Sequence, residues 1–225
     1  METAKKKYHY QADLKQDLLE KGIQIICEKG VSALTLKALA NALGVTSAAM
    51  YHHYSDKKAL MAAIVARRLD ELNLLLEEQV FEPFKDDVIG MFVKSAMVMY
   101  DFCEEHPEFL IIANGDAVDN WAAYPALMDS MQRIVAKPLA AITQAQGAGV
   151  IKSGDPRDFL LMAFSSIYGY LVIIFSRKKA LLESSDPKTL RRNYFEVACS
   201  AINMIRVNQG SWRSEFQQVE QAVLK

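Results

Sequence analysis

The sequence predicts an all-α protein with a small helix-turn-helix head and a larger helical body. Apolar residues recur at three- and four-residue spacing almost throughout, while strand-like alternation is scarce. Helix start and stop signals recur as well: Thr35 before a periodic run, Gly30 and Gly44 after others, and Asp-Pro pairs at 155–156 and 186–187. Half of the 225 residues are apolar (51%), enough to bury a real core and to make disorder an unlikely outcome.

Taken in order, Leu14, Leu18, Gly22, Ile25 and Ile26 form an apolar stripe that Gly30 stops. The preceding METAKKKYHYQADLK has no apolar centre, so it is not a signal peptide, and its lysines suggest a flexible basic arm. Thr35 caps a second helix over 36–43, and Gly44 ends it. A third runs over about 47–54. Ser55 or Asp56 caps a fourth, extending toward Val80, and Pro83 in the linker FEPF ends it. Helices are then expected at about 86–105, 107–114, 122–148, 156–180 and 187–208. Pro138 should kink or split the 122–148 segment. The tail over 211–225 places Trp212, Phe216, Val219 and Val223 on one face, as for a last docking helix.

Charge is distributed unevenly. Residues 1–60 hold nine lysines against six acids, about +3, so the remainder carries about −4 of the net −1. That suits a polyanion-binding head on a neutral body. The three cysteines, Cys27, Cys103 and Cys199, show no metal or disulfide spacing, which suits a reducing cytoplasm. No cofactor is indicated. The run FLLMAFSSIYGYLVIIF (159–175) carries no charge, but its seventeen residues fall short of the roughly 20 of a membrane span. A helix buried on most sides explains it better than a membrane.

The stretch Leu34–Leu60 carries the chemistry. Two helices of about eight residues are marginal alone and must pack on neighbours. Leu36, Leu39, Ala40 and Leu43 face inward from one, Met50 and Tyr54 from the other, and Gly44 permits the reversal between them. The opposite face presents Ala48, Ala49 and His52, flanked by Tyr51 and His53, with Thr46 and Ser47 at its start. Small side chains let a helix approach a groove floor, an alanine methyl can touch a thymine methyl, and hydroxyls and imidazoles can reach phosphates or base edges. Lys57 and Lys58 can grip the phosphate strand. An ordinary helical hairpin with a solvated polar face is the competing reading. No hydrolase triad order, phosphate-binding glycine loop or HExxH is present, and His52 and His53 lie on different faces, so an enzyme is not predicted.

The segment TLKALANALGVTSAAMYHHYSDKKAL resembles the DNA-binding signature of the TetR/AcrR family of transcriptional regulators. The matching residues are Thr35, Leu39-Ala40, Gly44-Val45-Thr46, Tyr51-x-His53-Tyr54 and Lys57, within roughly 14–62. Departures are mild: Tyr54 stands where Phe is commoner, Asp56 where Ser or Asn is frequent, and His52 at a variable position. The resemblance implies an N-terminal three-helix DNA-binding domain over 1–58, a connecting helix over about 57–80, and a C-terminal helical ligand-binding and dimerisation domain over 59–225. It implies a homodimer acting on a double-stranded DNA operator, as a repressor released by a small molecule. Thr35, Thr46, Ser47, Ala48, Ala49, Tyr51, His52, His53 and Lys57 are the expected DNA-binding residues.

The body is rich in methionine and aromatic residues, which suit an adaptable apolar site. Candidate lining residues for an apolar or aromatic inducer are Phe92, Met99, Tyr100, Cys103, Trp121, Met128, Phe164 and Tyr168. Apolar stripes through Leu161, Tyr168, Leu171 and Phe175, and through Tyr194, Val197, Ala201 and Ile205, are candidates for a subunit seam. The alternative is a helical small-molecule carrier or interaction protein with an incidental helix-turn-helix. DNA binding with steep salt dependence separates the two.

Overall fold

The computed structural model describes residues 2–115, 118, 120–175, 186–208 and 220, giving the backbone alone for 2–13. Among the described residues the chain is helical, with a single isolated bridge and no strand ladder. The helices are α1 (Glu2–Lys29), α2 (Leu36–Leu43), α3 (Ser47–His53), α4 (Lys57–Leu76), α5 (Val88–Glu105), α6 (Pro107–Ala113), α7 (Pro125–Gly147), α8 (Pro156–Phe175) and α9 (Pro187–Ile205).

Most boundaries follow from local capping chemistry. Asp56 Oδ1 accepts from Ala59 N at 2.8 Å, so Asp56 and not Ser55 caps α4. Asp87 caps α5 through Ile89 N and Gly90 N, and Asp186 caps α9 through Lys188 N and Thr189 N ahead of its first-position proline. The Thr189 hydroxyl and backbone N–H hold the Asp186 carboxyl below its usual pKa. At the far end of α5, His106 N–H donates to Phe102 O and its ring meets Phe102 edge-on at 4.7 Å.

Several expectations are corrected. The basic N-terminal arm is not irregular, because α1 already begins at Glu2. The fourth helix does not stay α-helical to Val80: five residues, Glu77–Phe81, wind as a π turn before the linker. Pro138 does not split α7, which runs through it unbroken. The helix expected over 156–180 is described to Phe175, and the tail helix of 211–225 lies outside the described residues but for residue 220.

Two compact units result. The first comprises 1–68 and 107–129, and the second 69–106 and 130–225, so α4 and α7 each run from one into the other. In the first unit, a methyl group added at Gly22 would touch Ile64 Cδ1 at 3.4 Å, which shows how closely α1 lies on α4. In the second, α5, α8 and α9 pack together around Tyr100 and Tyr194, whose ring centroids are 5.2 Å apart. Phe175 meets Tyr100 at 5.3 Å, and Arg191 forks onto both Asp101 oxygens at 3.0 Å each. Antiparallel pairing of Ile151 with Arg206 ties the turn after α7 to the end of α9.

Candidate nucleic-acid interface

Helices α2 and α3 are too short to stand alone, and three devices hold them. Thr35 Oγ1 accepts from Ala38 N at 3.0 Å, and Thr46 Oγ1 from Ala49 N at 3.2 Å, so each helix starts on a threonine cap. Gly44 sits in the left-handed region at φ 65°, with its N–H on Asn41 O and that of Val45 on Ala40 O. This Schellman closure reverses the chain. Nothing lies within 4 Å of a Cβ added there, so backbone strain and not crowding favours glycine. Burial completes the arrangement: Leu39, Ala40, Met50 and Tyr54 are buried, with Leu36 and Leu43 half-buried.

The outward face of α3 follows directly. Ser47, Ala48, Tyr51 and His52 are exposed, Tyr51 by 59%, while Ala49 and His53 are half-buried at its edge. The two imidazoles meet edge-on at 5.3 Å. The His53 pKa is lowered, first by desolvation and then by repulsion from His52 and Lys15. The Tyr54 phenol is pushed up to about 12 by burial, and its hydroxyl has no hydrogen-bond partner among the described residues. A hydroxyl at this apolar position therefore adds a desolvation cost without a bond to offset it.

Lys57 does more than its sequence position suggests. It opens α4, is half-buried, and donates Nζ–H to Val31 O at 2.7 Å. It is a strut between α4 and the turn that follows α1. Lys58 beside it is exposed. Thr35 and Thr46 are exposed but have their hydroxyls engaged as caps.

The candidate inducer residues are only partly brought together. Met99, Tyr100 and Cys103 are buried along α5, with Phe92 half-buried, and burial drives the Tyr100 phenol up to about 12. On α8, Phe164 is exposed and stacks at 4.9 Å on the half-buried Tyr168. Trp121 and Met128 are half-buried in the first unit, whereas the α5 residues belong to the second. The sequence reading missed Tyr170, whose ring reaches Tyr194 at 5.6 Å, and Arg191 over the Tyr100 ring. The aromatic spacing on α8 could have suggested Tyr170.

The expected seam also needs correction. Leu171, Tyr194, Ala201 and Ile205 are buried within their own chain, Phe175 and Val197 are half-buried, and Leu161 is 64% exposed. On α8 the buried Ala163, Leu171 and Ile174 are interleaved with exposed Leu161, Met162, Phe164 and Ile173, so only part of the helix faces its own core. Nor is α8 buried on most sides: it is long and apolar enough to cross a membrane by length and composition, yet only 17% of its apolar window is buried. Its open side carries Leu161, Met162, Phe164 and Ile173.

Residues 18–64 match the family model described as bacterial regulatory proteins, tetR family. The chain is similar to the HTH-type transcriptional repressor SCO4008 of Streptomyces coelicolor, 22% identical over 175 residues, covering 78% of this chain and 86% of that protein. Its fold is similar to a TetR-family transcriptional regulator of Haemophilus influenzae, with TM-score 0.58, 17% identity, and coverage of 88% of this chain and 98% of that one. It is similar also to RolR in complex with resorcinol, with TM-score 0.59, 14% identity, and coverage of 92% and 94%. The capped α2–α3 hairpin lies inside the matched residues 18–64, so the head carries a tetR-family DNA-binding segment, and with helices throughout the described body the chain is a DNA-binding transcriptional regulator.

Proposed function

We propose that the protein is a cytoplasmic homodimeric repressor that leaves a pseudo-palindromic operator when a small apolar or aromatic molecule binds its body. The observation that carries the reading is the two-sided α3: Met50 and Tyr54 buried beneath, Tyr51, His52 and small side chains open above. In this reading Tyr51 and Ala48 approach base edges, with Ala49 and His53 at the rim. Ser47 and Lys57 hold phosphates, and Thr35 and Thr46 serve through the helices they cap. Two such helices meet successive major grooves one turn apart, roughly 34–36 Å. The head over 1–58 and the body over 59–225 are functional divisions joined by α4.

The open apolar side of α8 supports the homodimer, since a second copy would cover it. The buried aromatic group on α5, α8 and α9 supports an aromatic inducer, and RolR, with a similar fold, binds resorcinol. An inducer releases DNA only to the extent that it binds the DNA-incompetent arrangement more tightly.

Selection from a random duplex pool tests this reading. The expected product is an inverted repeat with half-sites about 10 bp apart or a multiple of that. Mass spectrometry of molecules retained by the purified protein should then yield one that releases the selected duplex. Enrichment of no duplex would favour the carrier reading.

A further inference from the structure

Three segments far apart in sequence meet at one carboxylate in the first unit. Glu108, the second residue of α6, is 2% exposed. Its Oε1 accepts from Arg68 Nε at 2.9 Å and lies 2.8 Å from Arg68 Nη2. Its Oε2 accepts from the Cys27 thiol, with Sγ at 3.6 Å. The Arg68 side chain is 11% exposed. Thus α1, α4 and α6 are joined at a charged point whose carboxylate and guanidinium are largely shielded from water, with the exposed Cys27 at its edge. Burial, and then the Glu108 charge, raise the pKa of the Cys27 thiol, as expected of a donor facing a carboxylate.

Stability alone does not call for such a pair. Apolar side chains of similar volume often replace a buried ion pair without loss, whereas removing one partner strands a charge. What the pair adds is direction, because a guanidinium fork accepts a carboxylate over a narrow range of angles. The two helices it holds, α1 and α4, precede and follow the reading hairpin in the chain, and Lys57 at the start of α4 already braces the turn after α1. The ion pair that joins α1 and α4 directly, Arg67 with Glu20, spans 3.7 Å in partly open surroundings and should contribute little.

We infer that Glu108 is a positioning residue for DNA recognition: by holding Arg68 and Cys27 together, it sets α1 against α4 and so the angle at which α3 meets the duplex. The inference rests on the DNA-reading role of α3.

The test uses the full-length protein, a duplex enriched by the wild-type chain from a random pool, binding by fluorescence anisotropy, and a thermal melt of each variant. Glu108→Gln should bind about tenfold more weakly, within the usual span of coupling effects. The double variant Arg68→Met/Glu108→Leu should melt no lower than wild type and still bind about tenfold more weakly. Glu108→Asp keeps the charge but retracts it by one methylene, and should weaken binding about fivefold with its melt preserved. Glu20→Gln should match wild type. Recovery of full affinity together with stability in the double variant would show a purely structural pair and overturn the inference. So would wild-type affinity in Glu108→Asp, which stands as the deciding variant should the double variant fail to fold. If the wild-type chain enriches no duplex, the DNA-reading role falls and the positioning role with it, so the two failures are distinguishable.

Discussion

Helices α3 and α8 are both left largely uncovered by the described residues, and they leave opposite kinds of surface open. Along α3 the open groups are small or can hydrogen-bond: Ser47, Ala48, Tyr51 and His52. On α8 they are Leu161, Met162, Phe164 and Ile173. A polar, small-residue face gains nothing by meeting a greasy one, but it fits the hydrated edges of a groove lined by phosphates. A long apolar face exceeds what a lone soluble helix keeps exposed, and a second protein surface suits it. In the proposed reading the contrast separates two partners: nucleic acid at the head, another copy at the body.

Changing the α8 face should produce the largest effect. Leu161→Glu with Phe164→Glu puts four charges into the proposed seam of a dimer. Each apolar side chain lost from such a seam costs about 1.5–3 kcal/mol. The protein should become monomeric by light scattering at micromolar concentration and lose most operator affinity, because paired heads are no longer linked. A dimer surviving both substitutions would place the seam elsewhere.

Next in size is the head. Tyr51→Ala should weaken operator binding by about 1–3 kcal/mol, roughly 5- to 150-fold, with dimer mass and melting temperature unchanged. Equal affinity would remove Tyr51 from the reading face. Gly44→Ala forces a side chain into the left-handed region and should cost about 1 kcal/mol of stability, seen as a lowered melt. A melt at the wild-type temperature would mean that the reversal tolerates another backbone.

The histidine effect is smaller and has a definite sign. The folded-state pKa of His53 lies below the ordinary 6.5. Its neutral form is therefore favoured in the free head, and its contribution is fully present above that value and fades as pH falls through the lowered one. Phosphates nearby favour the protonated form, so DNA binding should take up a proton. Operator affinity should rise modestly from pH 7.5 to 6, and His53→Gln should flatten that slope. A slope unchanged in the variant would move the proton uptake to another group.

Smallest is Tyr54→Phe. It removes a buried hydroxyl that has no partner among the described residues, so stability should stay level or rise by up to about 1 kcal/mol, with DNA affinity unchanged. A clear destabilisation would show that the hydroxyl is satisfied in solution.

The same contrast explains what could be read from the sequence. The hairpin was legible because its signals are local: Thr35 and Thr46 cap helices within three residues of themselves, and Gly44 acts on its own backbone. The seam was not. Periodicity reveals that Leu171, Tyr194, Ala201 and Ile205 form stripes, but not what covers them, and they are covered by their own chain. Continuity of α7 through Pro138 was also beyond local rules, since surrounding packing can hold a helix that a proline weakens. Glu108 and Arg68 are forty residues apart, and only folding brings the carboxylate to the guanidinium. Lys57 was read as a phosphate contact, and its second task as a strut depends on Val31, twenty-six residues earlier.

The most direct test of the account is the salt dependence of binding to the selected duplex, with the wild-type chain beside Tyr51→Ala. Wild type should lose affinity linearly on a log–log scale, with a slope of about −0.9 for each phosphate neutralised, and Tyr51→Ala should lie below it with nearly the same slope. Binding that ignores salt, or a Tyr51→Ala line superimposed on that of wild type, would contradict the assignment of α3 as the element that reads DNA.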